Sequence, residues 1–358
     1  MKIRPADKAT LDLIALGDCM VRLSPPGHGR IEFSPYLEVS AGGGEYNVAY
    51  ACARLGLRTG WVSRLPDNPL GHIIRNHARA GGIDLSDLVW VPYDGLGRAD
   101  RVGLNFTEVG MGPRASVTMY DRSHSAASTM RPQDVNWKAL FAKGVRWIHT
   151  SGIFTALSPS SAQTVKGAFK AAKENGSITS FDLNFRSTLW SQQEAQSTTK
   201  ELVEHVTVLI GNEEDFEKML GFKVEGTNEG YRDLNVENYK RMVESVVRAY
   251  PNLQVVATTL REVKTGLLNH WAGIIYYEGN FYQSRRYENL EIEDRVGGGD
   301  GFSSGLAYGF LSGLPCQDIV EFAVAHGALL QSTRGDTSQT SLQEVMHVMR
   351  GGGARIKR

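Results

Sequence analysis

Short apolar runs alternate with segments of helical hydrophobic spacing along most of the chain. Six apolar runs have the length of buried strands, at residues 12–16, 60–63, 147–150, 178–183, 206–210 and 254–258. Between and after them, apolar residues recur every three or four positions. This spacing predicts helices at residues 45–55, 69–80, 191–205, 213–220, 236–250, 318–332 and 342–350, and from Pro159 onward. The alternation predicts a mostly parallel sheet covered by helices on both faces, an α/β fold.

Two stretches break this alternation, at residues 21–39 and about 99–120. Both are rich in strand-forming residues and carry no helical pattern. We expect them to pair with each other as a small separate sheet. A further hairpin is predicted within residues 274–282, because Gly279 and Asn280 form a turn signal between two apolar runs.

Composition and charge narrow the class of protein. The chain has 358 residues, of which 41% are hydrophobic and 22% charged, and its formal net charge is zero. This balance gives no reason to expect nucleic acid or an acidic membrane surface as a partner. Three widely spaced cysteines form neither a disulfide framework nor a zinc motif, and the first residues lack an apolar run. We therefore expect a cytoplasmic protein.

The stretch DRVGGGDGFSSG, residues 294–305, concentrates glycine immediately before a carboxylate. Gly297, Gly298 and Gly299 predict a tight turn whose backbone amides are exposed. A helix follows, because apolar residues recur at helical spacing after Asp300. A glycine turn leading into a helix N-terminus is a favourable anion site, with Asp300 at its mouth. The alternative is that Asp300 only caps the helix.

Other polar residues follow the predicted parallel strands, where α/β folds bind ligands. Asp18, Arg186 and Asn212 each come directly after a strand. A Gly-Lys-Ser/Thr phosphate loop is absent, and so is a GxGxxG motif after the first strand. Residues 301–305 match the GxSxG motif of α/β-hydrolases, with Ser303 as nucleophile, but no apolar strand precedes that serine. A hydrolase would also need Asp318 or Asp336 together with His326 or His347.

The glycine turn resembles the GAGDxF signature of the ribokinase-like (PfkB) carbohydrate kinase family, here as GGGDGF. Other landmarks of the family occur in order over nearly the whole chain: Gly17-Asp18, SAGGGEYNVAYACARLG from Ser40, SRLPDNPLG from Ser63, and GNEED from Gly211. The resemblance implies a three-layer αβα sandwich with a small β lid. It places a kinase domain at residues 10–358, with a core of about 10–20, 40–97 and 121–350, lid segments at 21–39 and 98–120, and flexible tails at 1–9 and 351–358.

The resemblance also implies ATP-dependent phosphorylation of a sugar hydroxyl, with Mg²⁺ and, in part of the family, a monovalent cation such as K⁺. Asp300 matches the general base, and Gly297, Gly298 and Gly299 match the anion hole. The positions matching sugar contacts are Asp18, Gly42, Gly43, Asn47, Asn105, Tyr120, Arg122 and Arg186. Those matching nucleotide contacts are Asn212, Asp215, Thr258, Gly299 and His326, with Asn212 and Asp215 reaching the metal through water.

A narrower resemblance is to the 2-keto-3-deoxygluconate kinases of this family. It rests on the stretches VGLNF, MYDRSHSAAS, LNFRSTLW and TRGD, and implies that Tyr120, Arg122 and Arg186 hold an acid sugar. An arginine fork matches a carboxylate, which a neutral sugar would not require. Asn105 replaces the tyrosine that is usual in the GLY pattern of these kinases. Three residues differ from the wider PfkB pattern: Asp215 replaces Glu, Arg295 replaces Thr or Pro, and Gly298 replaces Ala.

Alternatives remain at this point. A fructokinase or another ketose kinase is the second choice, and a non-catalytic regulator that binds sugar or nucleotide is a third. Because a small lid sheet is not stable alone, we also expect it to contact a second copy, giving at least a homodimer.

Overall fold

The computed structural model describes residues 1–225 and 236–353. Its strands are β1 (Leu11–Leu16), β2 (Met20–Ser24), β3 (Glu38–Gly42), β4 (Thr59–Val62), β5 (Arg64–Pro66), β6 (Val89–Val91), β7 (Leu104–Glu108), β8 (Val117–Asp121), β9 (Val145–Ser151), β10 (Ile178–Asp182), β11 (Val208–Gly211), β12 (Val255–Thr265), β13 (Leu268–Tyr277), β14 (Asn280–Gln283) and β15 (Tyr287–Glu291). Its α-helices are α1 (Gly44–Arg54), α2 (Pro69–Ala80), α3 (Trp137–Ala142), α4 (Gly152–Thr155), α5 (Pro159–Glu174), α6 (Gln192–Val203), α7 (Glu213–Leu220), α8 (Val236–Ala249), α9 (Gly298–Leu311), α10 (Cys316–Leu330) and α11 (Leu342–Met349).

The central sheet is mostly parallel, as the alternating pattern predicts. Its strands lie in the order β14-β13-β12-β11-β10-β9-β1-β4, and β15 pairs with β13 beside this path. The strands from β12 to β4 are parallel, whereas β13 is antiparallel to each of its neighbours. The carboxyl ends of six strands therefore meet at one edge, where the chain passes into loops and helix N-termini.

Helices cover both faces of this sheet. Side chains of successive strand residues enter opposite cores: in β11, Leu209 joins one cluster, while Val208 and Ile210 join the other. The first cluster is completed by helices α3 to α8, and the second by α1, α2, α9 and α10. The arrangement is the three-layer αβα sandwich that the sequence predicts.

The two strand-rich stretches form a separate four-stranded sheet, in the order β3-β2-β7-β8. The link between the stretches is the parallel pairing of β2 with β7, where Arg22 lies opposite Asn105. Alternation along these strands gives the sheet two faces. Ser40, Arg22, Asn105 and Tyr120 are in register in a polar row, and Val39, Leu23, Phe106 and Met119 are in register in an apolar row. We refer to this sheet as the lid.

Several details differ from the expectations. Strand β12 continues to Thr265 and forms a long hairpin with β13, whereas the apolar pattern ended at residue 258. The hairpin predicted at Gly279 and Asn280 is present as β13 and β14. Residues 1–9, expected as a flexible tail, lie against the core: Met1 and Ile3 pack on an apolar cluster, and the Arg4 carbonyl accepts a hydrogen bond from Arg146. Residues 354–358 of the expected C-terminal tail lie outside the described residues.

Within residues 1–225 and 236–353, no helix combines the length and apolar character needed to cross a bilayer.

Candidate active site

A cavity of about 400 Å³ lies where the lid faces the carboxyl ends of the parallel strands. The lid contributes Asn105 and Tyr120 of its polar row, together with Thr118. The core contributes residues at and after the carboxyl ends of β10 and β11, Thr259 and Arg261 within β12, and the whole glycine turn at the N-terminus of α9. Of the predicted site residues, those lining this cavity are Gly43, Asn47, Asn105, Tyr120, Arg122, Arg186, Asn212, Asp215, Gly297, Gly298, Gly299 and Asp300.

The glycine turn has the geometry of an anion cradle. Gly297 precedes α9 with a left-handed φ of 90°, and no side chain caps the helix. A Cβ at Gly297 would lie 2.7 Å from the Asp336 carbonyl oxygen, so both the backbone conformation and the space require glycine here. At Gly299 a Cβ would meet no atom within 4 Å. The first-turn amides of α9 have no partner within the helix, and the residues that carry them, Gly298 and Gly299, line the cavity.

Asp300 is the third residue of α9 and does not cap it, so the capping interpretation is wrong. Its Oδ2 accepts a hydrogen bond of 2.6 Å from Asn47 Nδ2. Burial raises the pKa of the Asp300 carboxyl to about 7, against the hydrogen bond from Asn47, which lowers it, and the nearby charges of Asp336 and Glu45 add to the increase. A carboxyl with a pKa near neutrality is suited to accept a proton from a substrate hydroxyl.

The N-terminus of α1 holds Asn47 in this position. Its Oδ1 accepts a hydrogen bond of 3.2 Å from the amide of Gly43, which fixes the side-chain orientation and directs Nδ2 at Asp300. Gly43 and Gly44 keep this approach close. A Cβ at Gly43 would lie 2.1 Å from the Asp18 carbonyl oxygen, and one at Gly44 would lie 3.7 Å from Asp300 Oδ1. The N-termini of α1 and α9 thus meet at the Asp300 carboxylate.

Arg122 and Tyr120 come from the end of β8 on the lid side of the cavity. The Arg122 guanidinium lies 5.6 Å from the centre of the Tyr120 ring, and its Nη2 is 3.6 Å from Asp18 Oδ2. Next to them, Asn105 Oδ1 accepts a hydrogen bond of 2.8 Å from Thr107. The Asn105 amide group is therefore free to present its N–H donors to the cavity.

Arg186 lies on the opposite wall, after β10, where its Nη1 donates to the Phe185 carbonyl at 2.8 Å. Two further arginines, Arg261 and Arg295, line the cavity beside it. Partial desolvation lowers the pKa of both, and repulsion from Arg186 adds to the effect at Arg261. An arginine keeps its charge at any physiological pH. These three arginines form a strongly cationic wall, suited to anionic ligands.

Acidic side chains also lie near this wall. Asp182, at the end of β10, accepts a hydrogen bond of 3.3 Å from Ser303, and burial raises its pKa well above the ordinary value, with Asp215 and Asp300 adding to the shift.

Ser303 itself is buried within α9. The GxSxG match is therefore part of a helix and not a strand-to-helix elbow, and the hydrolase interpretation is wrong.

Asn212 and Asp215 cap α7 reciprocally. Asn212 Oδ1 accepts from the Asp215 amide at 3.0 Å, and Asp215 Oδ2 accepts from the Asn212 amide at 2.9 Å. Asp215 Oδ1 also accepts from the Phe185 amide at 2.8 Å. Both carboxylate oxygens are thus engaged by backbone. Among the described residues, no group of three or more His, Cys, Asp or Glu side chains could hold a metal alone. These donors fit contact with Mg²⁺ through water better than direct coordination.

Four predicted site residues do not line the cavity. Thr258 is buried, and its neighbour Thr259 lines the cavity instead, because side chains alternate along β12. His326 is buried in α10, where its ring nitrogens lie 3.1 Å from Ser304 Oγ and 2.9 Å from Ser338 Oγ. Asp18 is buried behind Arg122. At Gly42, a Cβ would lie 2.1 Å from Asp336 Oδ2, so this glycine admits Asp336 to the site.

Sequence reasoning missed other cavity residues: Asp182, Asn184, Thr259, Arg261 and Asp336. Asp182 and Asn184 stand in the stretch FDLNF directly after a predicted strand, which is the same signal that identified Arg186. Arg261 lies beyond the predicted end of its strand. The polar residues around it interrupt the apolar pattern, although β12 continues to Thr265.

Free helix amides, a cavity-facing carboxylate and a cationic wall at the edge of a doubly covered parallel sheet define an enzyme that transfers an anionic group. The chain belongs to the PfkB family of carbohydrate kinases: the model of the "pfkB family carbohydrate kinase" matches residues 10–342. It is a kinase of this family, whose members phosphorylate sugars.

Individual relatives are similar over almost their whole length. The 2-dehydro-3-deoxygalactonokinase of Haloferax volcanii is 31% identical over 349 residues, covering 98% of this chain and 100% of that protein. The crystal structure of 2-dehydro-3-deoxygluconokinase from Thermotoga maritima superposes with a TM-score of 0.89 at 38% identity, covering 95% of this chain and 100% of that one. A putative ribokinase II of E. coli in complex with ATP and Mg²⁺ shares the fold, with a TM-score of 0.77 at 18% identity and coverage of 95% and 99%.

Proposed function

We propose that this kinase transfers the γ-phosphate of ATP to 2-keto-3-deoxygluconate, forming the 6-phosphate. The observation that carries the proposal is the position of Asp300, which faces the cavity between Asn47 and the free N-terminus of α9. This arrangement supports a catalytic base beside an anion hole. The relatives named for 2-dehydro-3-deoxy sugar acids support the choice of substrate class.

The residues would act as follows. Asp300 Oδ accepts the proton of the terminal sugar hydroxyl. At the same time the hydroxyl oxygen forms a bond to the γ-phosphorus, and the bond from that phosphorus to the bridging oxygen breaks, which releases ADP. The amides of Gly297, Gly298 and Gly299 donate to the phosphoryl oxygens as their charge redistributes. Positioning and electrostatic stabilisation of this kind provide most of the catalysis in phosphoryl transfer.

The four arginines that line the cavity would bind two different anions. Arg261 and Arg295, beside the glycine turn, fit the phosphates of the nucleotide. Arg122 and Arg186, with Tyr120 and the Asn105 amide, fit the carboxylate and hydroxyls of the sugar acid. Asn212 and Asp215 would hold Mg²⁺ through water, and the ion, when bound, neutralises phosphate charge. Thr258 and His326 are not assigned to the nucleotide, because neither lines the cavity.

A neutral ketose such as fructose fits these residues less well. It has no carboxylate to accept the charge-assisted, forked hydrogen bonds that the Arg122 and Arg186 guanidinium groups can donate. The same argument does not separate 2-keto-3-deoxygluconate from its galactonate epimer, which carries the same carboxylate.

The test is a coupled assay of ADP release with 2-keto-3-deoxygluconate, its galactonate epimer and fructose, using wild type, Asp300→Asn and Asp182→Asn. We expect turnover with the acid sugars, and a loss of about 10²–10⁴-fold in kcat for Asp300→Asn. Asp182→Asn, the matched control in the neighbouring carboxylate, should lose less. A preference for fructose would refute the substrate, and an Asp300→Asn enzyme retaining most of its kcat would refute the base.

We also propose a homodimer formed through the lid. Val39 and Met119 of its apolar row are 54% and 58% exposed. A face of this kind on a four-stranded sheet is typical of a surface covered by a partner. We take this partner to be a second copy of the chain, because most oligomers are symmetric and pair the same surface of both subunits.

A further inference from the structure

Arg22 of the lid strand β2 lies between two carboxylates of the core. Its Nη2 is 2.5 Å from Asp294 Oδ2, its Nη1 donates to Asp336 Oδ1, and its Nε donates to Ser24 Oγ at 3.0 Å. All three side chains of the ion cluster are buried, with side-chain exposures of 3% for Arg22, 3% for Asp294 and 4% for Asp336. Two buried carboxylates and one guanidinium form a compact charge cluster that water cannot screen.

Both aspartates lie against the glycine turn, Asp294 through the amide before it and Asp336 through its own backbone carbonyl. Asp294 Oδ1 accepts from the Val296 amide at 3.1 Å, and its Oδ2 accepts from the Gly335 amide at 3.3 Å. The backbone carbonyl oxygen of Asp336 lies against Gly297, and a Cβ built at Gly297 would be only 2.7 Å from that oxygen. The Arg22 guanidinium therefore holds together the two backbone segments that shape the anion cradle.

A pair of buried carboxylates this close to the cradle requires a cation, because an uncompensated buried charge is strongly destabilising. The sequence resemblance allowed for a monovalent cation such as K⁺ in this enzyme. Here the space between the two carboxylates is filled by a guanidinium that belongs to the chain itself.

We propose that Arg22 is the resident cation of this site: it holds the glycine turn in its anion-binding geometry, so that the kinase needs no added monovalent cation. Arg22 is a positioning residue, since it touches the turn only through Asp294 and Asp336. Because Arg22 lies on the lid and both carboxylates lie on the core, it also ties the geometry of the turn to the position of the lid. This inference rests on the proposed kinase activity at the cavity.

The first experiment uses the wild-type enzyme. ADP release is measured with Mg²⁺ and the best of the tested sugars, in buffers whose only monovalent cation is K⁺, Na⁺ or tetramethylammonium. The proposal expects rates equal within about twofold in all three. Stimulation by K⁺ of about tenfold or more over tetramethylammonium would overturn it. Because any sugar that supports turnover can be used, failure of the acid-sugar assignment leaves this test intact.

The second experiment removes the Arg22 guanidinium. Misplacement of catalytic groups by about 1 Å can cost 10²-fold in rate, so Arg22→Ala should lose about 10²-fold in kcat with a smaller change in the KM of the sugar. Added guanidinium or K⁺ should restore part of this loss, and Arg22→Lys, which keeps the charge but loses the fork, should fall between. A merely structural role would not produce recovery by a small cation.

Arg146→Ala is the matched control. Arg146 is also buried and pairs with Asp12 at 2.9 Å, but its hydrogen bonds go to Arg4, Asp12 and Leu311 and not to Asp294 or Asp336. We expect this variant to lose stability without losing kcat and without responding to guanidinium. If Arg22→Ala does not fold, Arg22→Lys and the wild-type cation series still decide. Equal kinetics for the Arg22 and Arg146 variants, or no response of either Arg22 variant to small cations, would overturn the proposal.

Discussion

Asn47 Nδ2 donates a hydrogen bond of 2.6 Å to Asp300 Oδ2, joining the first turn of α1 to the first turn of α9. The two residues are 253 positions apart in sequence. Burial raises the pKa of Asp300 to about 7, and this hydrogen bond opposes the shift because it stabilises the charged form. Asn47 therefore keeps part of the Asp300 population as carboxylate near neutral pH.

This relationship predicts the pH dependence of the enzyme. If Asp300 is the general base, as proposed, it must be unprotonated to act, so kcat/KM should rise with pH, with a midpoint near 7, and level off above it. Asn47→Ala removes the interaction that lowers the pKa, and the midpoint should move to higher pH. The measurement is a pH–rate profile under limiting sugar. Asn68→Ala, which removes a similar side-chain hydrogen bond at the N-cap of α2, is the control and should leave the midpoint unchanged. A midpoint that falls in Asn47→Ala would contradict the assignment.

Much of the fold could be predicted because its signals are local. Helix α2 has the predicted bounds, since Asn68 caps it, Pro69 begins it and Gly81 follows it. The glycine turn was identifiable because only backbone conformation and close approach explain Gly297 so near a carboxylate.

The rest depends on contacts between distant residues. Arg22 and its partners Asp294 and Asp336 are 272 and 314 positions apart, and no pattern in one sequence pairs them. Thr258 and Thr259 are adjacent, and an error of one position in a strand moves a side chain to the opposite face. His326 is a polar residue satisfied within the core by two serines, which the helical pattern alone does not reveal.

The glycine turn makes a prediction about stability. Gly297→Ala places a Cβ 2.7 Å from the Asp336 carbonyl oxygen at a φ of 90°, so strain and overpacking together should cost about 2–5 kcal/mol. Gly299→Ala meets no atom within 4 Å and should change the free energy of unfolding by less than about 1 kcal/mol. Urea unfolding of both variants, followed by fluorescence, measures the difference. Equal stability of the two variants would mean that the turn does not have this geometry.

The lid makes a prediction about assembly. Met119 lies in the apolar row and is 58% exposed, so Met119→Lys would place a charge in the proposed dimer interface. Burying an unpaired ammonium is costly, and we expect the dimer Kd to increase at least about tenfold. Analytical ultracentrifugation at micromolar protein measures it. Leu96→Lys, at an exposed apolar residue outside the row, is the control. A wild-type enzyme that is monomeric and fully active at this concentration would rule out the lid dimer.

Selectivity for acid sugars should depend on Arg186. Its guanidinium lines the cavity and is held by one hydrogen bond to the Phe185 carbonyl, so it is free to grip a carboxylate. Truncating one member of a desolvated charge pair costs about 2–5 kcal/mol, or roughly 30- to several thousand-fold in kcat/KM. Arg186→Ala should therefore reduce the ratio of kcat/KM for 2-keto-3-deoxygluconate to that for fructose, and Arg186→Lys should fall between because it keeps the charge without the fork.

Arg122→Ala should show the same bias more weakly, because Asp18 already shares its charge at 3.6 Å. Arg261→Ala is the control on the same cationic wall: it should raise the KM for ATP and lower kcat/KM for both sugars alike. If Arg186→Ala also lowers kcat/KM for both sugars equally, Arg186 serves the phosphates, and the acid-sugar assignment loses this support from the site.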